Sequence, residues 1–236
     1  MKLTLNSISK RFDQTVILQD TSFVFEQGKI YGLLGRNGAG KTTLFNCIAH
    51  NLVLEQGSIQ LEEEGQLRDY DSVEIGFTQT SPQLPGFMTA FEFIRFYMDI
   101  HRDRLRHQHS PKGWLELIGI QAADQHRLLK DFSHGMKNKV QLLLSLMVRP
   151  TVLLLDEPLT SFDPVAAHEF KHLIREAKKD SIIIFSTHIL QLAQDLCDEI
   201  VLLHHQSLKA VPTERLHDAH FEQEIVALLT DNEGAL

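Results

Sequence analysis

Apolar residues recur along this chain with two periods, and the switches between them predict its elements. "KLTLNSI", residues 2–8, alternates at every second position, as a strand with one buried face does. "ILQDTSFVFEQGKIYGLLG" predicts two strands that meet at Gln27 and Gly28, and "KTTLFNCIAHNL" predicts a helix that starts after Gly40. "GSIQLEEEGQL" predicts a hairpin with residues 62–64 at its solvated tip. From about Ser81 the character changes. The turn-rich "SPQLPG" leads into three predicted helices: "TAFEFIRFYMDIH", "PKGWLELIGI" with Pro111 in its first turn, and "HGMKNKVQLLLSLMV". "TVLLLD" and "SIIIFST" are then short, nearly unbroken apolar runs, as expected of parallel strands buried on both faces, and "EIVLLHH" is a further strand. Helices are predicted between them, over about 164–179 and in "ILQLAQDLC". "FEQEIVALLT" predicts a short amphipathic helix near the C-terminus.

Composition narrows the classes. The formal net charge of -8 makes the chain a poor candidate for tracking a nucleic-acid backbone, which needs clustered Lys and Arg. Cys47 and Cys197 are far apart and fit neither a disulfide framework nor metal-site spacing. Both are expected to be core residues of a protein in a reducing compartment. No run approaches the ~20 apolar residues that span a bilayer, and "MKLTLNSISKRF" lacks the apolar core of a signal peptide. The chain is expected not to cross a membrane, although it can sit against a protein that does.

Candidate chemistry begins at "GRNGAGKTT", residues 35–43, which fits G-x-x-x-x-G-K-[ST] between an apolar strand and a helix. Glycines let the backbone curl so that successive N–H groups point at an anion, and the helix N-terminus adds partial positive charge. Asn37, Gly38, Ala39, Gly40, Lys41, Thr42 and Thr43 are therefore expected to hold the phosphates of a nucleoside triphosphate. Lys41 reaches the terminal phosphates and Thr42 offers a hydroxyl to Mg²⁺. "TVLLLDEP" supplies the companion element. Its strand delivers Asp156, expected to hold Mg²⁺ through water, and Glu157, expected to act on the attacking water as general base or orienter. His188, at the end of "FSTH", is expected to bond the γ-phosphate or orient that water. The remaining histidines show no metal-ligand pattern.

The order of these motifs resembles the ATP-binding cassette ATPases, the motor subunits of ABC transporters, over about residues 1–212. The discriminating segment is "FSHGMKNKV", just before "TVLLLDEP"; the family pattern there is Leu-Ser-Gly-Gly-Gln. Ser133 and Gly135 match it. His134 replaces a glycine, a change expected to strain the backbone or add a polar contact, and Met136 replaces the glutamine. The resemblance implies an α/β P-loop NTPase fold with a mostly parallel core sheet, an N-terminal antiparallel β part and a helical subdomain inserted over about 80–149, followed by a helical tail over 213–236. It implies that Phe12 stacks on adenine, a contact that does not exclude GTP. It also implies that Gln79, with Gln83 as the competing register, touches Mg²⁺ or the water. Ser133, Gly135 and Asp163 are implied to act on nucleotide held by a second subunit. The partners implied are a second ABC ATPase, identical or different, in a head-to-tail dimer that traps ATP, and a separate permease that docks on the aromatic segment from Gln79 to about His101. The function implied is an ATPase peripheral on the cytoplasmic face of a cell membrane, powering a transporter of bacterial export type. A soluble ABC ATPase in assembly or translation is the alternative. A third reading, a regulatory cassette that binds ATP without turnover, is motivated by the altered "SHGM".

Overall fold

The structure is a computed structural model that describes residues 1–79, 81–105, 109–158, 162, 164–211 and 225, with only the backbone of 164–166. Its strands are β1 (Lys2–Phe12), β2 (Thr15–Glu26), β3 (Ile30–Leu34), β4 (Gln56–Glu63), β5 (Gln66–Arg68), β6 (Ile75–Thr78), β7 (Val152–Asp156), β8 (Ile182–Thr187), β9 (Glu199–His204) and β10 (Ser207–Val211). Its α-helices are α1 (Lys41–Ile48), α2 (Ala90–Ile100), α3 (Pro111–Leu117), α4 (Ala122–Gln125), α5 (His134–Val148), α6 (Pro164–Ala177) and α7 (Leu190–Leu196). The chain divides into two compact units, Met1–Ser72 with Ile182–Leu236, and Val73–Ser181.

In the first unit an antiparallel sheet has the order β2-β1-β4-β5. Alternation in β1 buries Leu3 and Leu5, then Ile8 and Lys10, so the buried parity slips at Asn6 and Ser7. The pairing slips at the same place: Leu5 faces Phe23 but Ile8 faces Thr21. Ser7 has a φ of 47°, and the result is a β-bulge, one extra residue that bends the strand and re-aims the side chains beyond it. The bulge presses on β4. At Gly57, φ 84°, an added Cβ would lie 2.4 Å from the carbonyl oxygens of both Asn6 and Ser7. Two further slips put extra residues on β2, at Gln19 and Asp20 and again at Ile17.

β3 and β8 are buried at every position, as strands covered on both faces must be. β3 runs parallel to β8 on one side and to β9 on the other. β10, which no pattern in the sequence announced, returns antiparallel to β9 through a tight turn at His205 and Gln206, φ 46° and 62°. Left-handed geometry at both positions matches the twist of a two-residue hairpin, although Asn and Gly adopt it more cheaply. The hairpin is tied to β2, since Gln19 N–H donates to Gln206 O (3.0 Å) and Leu208 N–H to Thr21 Oγ1 (2.9 Å). Leu34, Ala193, Ile200, Leu202 and Val211 form a core cluster that Ile225 joins, with Leu190 and Cys197 at its margin. Cys197 caps the end of α7, half-buried as a residue but with its thiol turned toward Gly32 and packed against this cluster.

In the second unit β6 and β7 pair in parallel, and β7 is buried throughout. α5 lies near β6, with Thr78 Oγ1 and Ser145 Oγ 3.0 Å apart. α2 starts at a reciprocal cap: Glu92 N–H donates to Thr89 Oγ1 (3.2 Å), and Thr89 N–H donates to Glu92 Oε2 (2.9 Å). α3 follows the N-cap Ser110, with Pro111 at its first position. All but one residue of the C-terminal segment expected to be helical falls outside the described residues.

Gly57→Ala should lower unfolding stability by more than about 2 kcal/mol in urea titration, because a left-handed φ and two carbonyls both oppose the methyl. Gln206→Gly should raise it by up to about 1 kcal/mol, because glycine adopts that φ without strain.

Candidate nucleotide site

β3 ends at the buried Leu34, and the chain enters the loop of residues 35–40. Gly38 and Gly40 take φ values of 82° and 105°. Ala39 N–H bonds to Arg36 O (3.0 Å), which closes the turn, and α1 begins at Lys41. Lys41 is buried, and its ammonium curls back to donate to Gly35 O (2.7 Å) and Arg36 O (3.2 Å). The charge therefore sits inside the ring of the loop, where it compensates an arriving anion. Asn37, Gly38 and Thr42 are exposed, Ala39 and Thr43 half-buried. Asn46 donates to Thr42 O (2.8 Å) and braces the first turn of α1.

Two neighbours seat this loop. An added Cβ on Gly35 would lie 2.9 Å from Leu203 O, so β9 leaves room only for glycine there. An added Cβ on Gly40 would lie 2.4 Å from Ile17 Cγ2, so the bulge on β2 lowers Ile17 onto the loop. Residues 15–17, 36–39 and 203–206 line a cleft of about 340 Å³ beside it. Ile17 was not a sequence candidate, because a one-residue slip leaves no mark in apolar periodicity. Behind the loop, burial pushes the Cys47 thiol of α1 up to about 11, which keeps it protonated and inert.

His188 belongs to the same unit. Leu34 pairs with Thr187, so Gly35 and His188 leave adjacent strand ends at one level. Thr187 Oγ1 accepts from Ile189 N–H (3.0 Å) and fixes the turn that carries the exposed His188. Phe12 ends β1 and is 44% exposed. The Lys10 ammonium lies over its ring, 5.1 Å from the centroid. Lys10 bonds to Glu55 Oε1 (2.9 Å), and this bond above all holds the Glu55 carboxyl below the usual carboxylate range.

The second unit assembles the carboxylate group. Thr78 pairs with Leu155, so Gln79, just past β6, and Asp156, the last residue of β7, come next at the same level. Gln141 braces this segment, donating to Gln79 O (3.0 Å) and accepting from Gln83 N–H (3.2 Å). Asp156 is 5% exposed. Glu157 takes a φ of 51°, an uncommon conformation for a residue with a Cβ and one that clusters at functional sites. Ser133 is the N-cap of α5, its Oγ accepting from Met136 N–H (3.2 Å), with Gly135 in the first turn. His134 brings no left-handed strain, because it already lies in the helix. Asp163 falls outside the described residues. Just before it, Phe162 packs on Phe170 (4.5 Å between ring centroids).

The metal-facing groups expected from the sequence are all oxygen donors: a hydroxyl, a carboxylate and an amide carbonyl. That chemistry fits Mg²⁺. Among the described residues no three His, Cys, Asp or Glu gather as a metal cage. Mg²⁺ held largely by nucleotide phosphates and water needs none.

The profile of the ABC transporter family matches residues 18–160. The chain belongs to that family. This ABC transporter ATP-binding subunit is 33% identical over 202 residues to the uncharacterized ABC transporter ATP-binding protein YxlF of Bacillus subtilis (strain 168), spanning 85% of this chain and 67% of that protein. It is 31% identical over 212 residues to the tungstate uptake system ATP-binding protein TupC of Peptoclostridium acidaminophilum, spanning 86% of this chain and 94% of that protein. A solved structure described as an ATP binding subunit of an ABC transporter superposes with a TM-score of 0.80 at 25% identity, covering 97% of this chain and 99% of that one. The ABC subunit binds and hydrolyses ATP, and among its described residues no helix is long and apolar enough to cross a membrane.

Gly40→Ala should weaken ATP binding about tenfold or more by calorimetry, since forcing a Cβ to positive φ costs ~1–2 kcal/mol. Adding Ile17→Ala, which relieves the contact with the new methyl, should restore only part of the affinity, because the backbone strain remains.

Proposed function

We propose that this subunit powers a transporter whose membrane-spanning part is a separate permease chain, and that it works as a head-to-tail dimer, with itself or with a second ABC ATPase, on the cytoplasmic face of the membrane. The observation that carries this reading is that each unit sets polar groups at the ends of its parallel strands. In the first unit Lys41 and His188 follow β3 and β8; in the second Gln79 follows β6, and Asp156 ends β7 with Glu157 just after it. In each closed site, residues 37–43 of one subunit hold the triphosphate and Phe12 stacks on the base. Ser133, Gly135 and Asp163 of the other subunit complete the cage. Thr42, Gln79 and Asp156 would hold Mg²⁺, which supplies charge neutralisation between the phosphates. Glu157 accepts the proton of the attacking water, or orients that water, and His188 donates toward the γ-phosphate. An anion at Ser133 gains from the helix N-terminus it caps.

The permease contact is supported by apolar side chains left in solvent on the second unit. Phe87 is 82% exposed, and Phe96 and Ile100, one turn apart on α2, are 51% and 57% exposed. Phe91, Phe93 and Tyr97 are half-buried and Ile94 is buried, so they serve the interior of this unit more than the contact. Export is the direction we propose, from the compact insertion; the likeness to TupC, named for uptake, favours the opposite reading.

Glu157→Gln should cut steady-state ATPase activity by at least about a hundredfold while retaining ATP affinity. Wild-type turnover no higher than the variant's would sink the enzymatic reading in favour of a regulatory cassette. Tagged Glu157→Gln, captured with ATP from detergent-solubilised cells, should bring down a stoichiometric polytopic membrane protein. A soluble partner alone would move the assignment to an assembly or translation factor. Vesicles bearing the wild-type subunit with the permease so identified, this subunit outward, should accumulate solute on ATP addition, whereas release of preloaded solute would mean uptake.

A further inference from the structure

Phe12 stands where the strand ladder is weakest. The β1–β2 pairing slips between Lys10 and Arg11, and the hairpin turns immediately after Phe12. A ring meant to meet a nucleobase there needs another source of order. Glu55, which just precedes β4, supplies it. Its Oε1 accepts from Lys10 Nζ (2.9 Å), its Oε2 from Arg11 N–H (2.9 Å), and its own N–H donates to Ser9 O (3.0 Å). One residue thus fastens the three positions that lead into Phe12.

Lys10 completes the arrangement. It lies two residues before Phe12 on the same strand, so both side chains leave the same face. Only 9% of Lys10 is exposed, and an ammonium so enclosed requires a partner. With Glu55 on one side, its charge lies over the Phe12 ring at 5.1 Å, within cation–π range. The cation draws π density from the ring and improves it as a stacking partner for an electron-rich purine. Pairing with Glu55 answers the need of an enclosed ammonium; it does not explain why the same charge also lies over an exposed aromatic ring.

We propose that Lys10 and Glu55 are positioning residues for the nucleobase: Glu55 locks the end of β1, and the ammonium it holds orients and polarises the Phe12 ring. The proposal rests on the reading of Phe12 as the stacking residue. Its test compares ATP with inorganic tripolyphosphate, which shares the phosphates and lacks the base, by calorimetry on the full chain, together with ATPase kinetics. Phe12→Ala should weaken ATP about fivefold or more and leave tripolyphosphate unchanged. Glu55→Gln and Lys10→Met should each weaken ATP about threefold or more, again without touching tripolyphosphate, raising KM at unchanged kcat. Lys10→Arg, which keeps the cation, should retain most of the affinity. Adding Glu55→Gln to Phe12→Ala should cause no further loss.

If Phe12→Ala leaves ATP affinity intact, the stacking reading itself falls. If Phe12→Ala weakens ATP but Glu55→Gln and Lys10→Met do not, stacking stands and positioning falls. Equal losses for ATP and tripolyphosphate, or losses that add fully to that of Phe12→Ala, would overturn positioning in favour of a general effect on the fold.

Discussion

The phosphate loop must curl in a space that admits no side chain at its second turn. Gly40 meets this constraint at φ 105° with Ile17 pressed against it, and Gly35 meets it against the carbonyl of Leu203. Much of the surrounding architecture serves that curl. The bulge on β2 lowers Ile17 onto the loop, and β9 supplies the opposing carbonyl. The enclosed Lys41 ammonium bonds to loop carbonyls from within. An anion therefore enters a cradle already shaped, and little ordering is left to oppose its binding.

Both units use one device to bring polar groups forward. Parallel strands, three of the four buried at every position, end abruptly in hydrophilic residues, and their pairing sets those ends level. The burial that makes these strands rigid makes their termini accurate. Gln79 and Asp156 emerge at one level of one pair, Gly35 and His188 at one level of another. Short side-chain bonds then lock the local turns: Thr187 around His188, Gln141 along the segment after β6, Ser133 at the start of α5.

Much of this was legible in the sequence. "IYGLLG" and "TVLLLDEP" announce buried strands, and the phosphate motif names its own residues. Pro111, read as a first-turn residue, agrees with the observed start of α3. Other features left no signal. The bulges at Ser7 and Asp20 carry no glycine to mark them, so periodicity near them reads only as slightly blurred. β10 escaped notice because its turn, His205 and Gln206, lacks the glycine or asparagine that marks a hairpin. The contact between Glu55 and Lys10 joins residues 45 positions apart, beyond any local pattern. The strain expected of His134 did not materialise, because a helical position accepts a side chain that a left-handed one refuses.

Glu157 carries a different kind of consequence. Its left-handed backbone is one that asparagine or glycine adopts more comfortably, yet either would remove the carboxylate. On the catalytic role proposed for Glu157, the mutations that relieve the fold at this position are those that erase the chemistry. A lineage released from selection on turnover would be expected to drift there first, gaining stability as it lost activity. The residue thus records, in its own torsion angle, that the chain has been selected for more than folding.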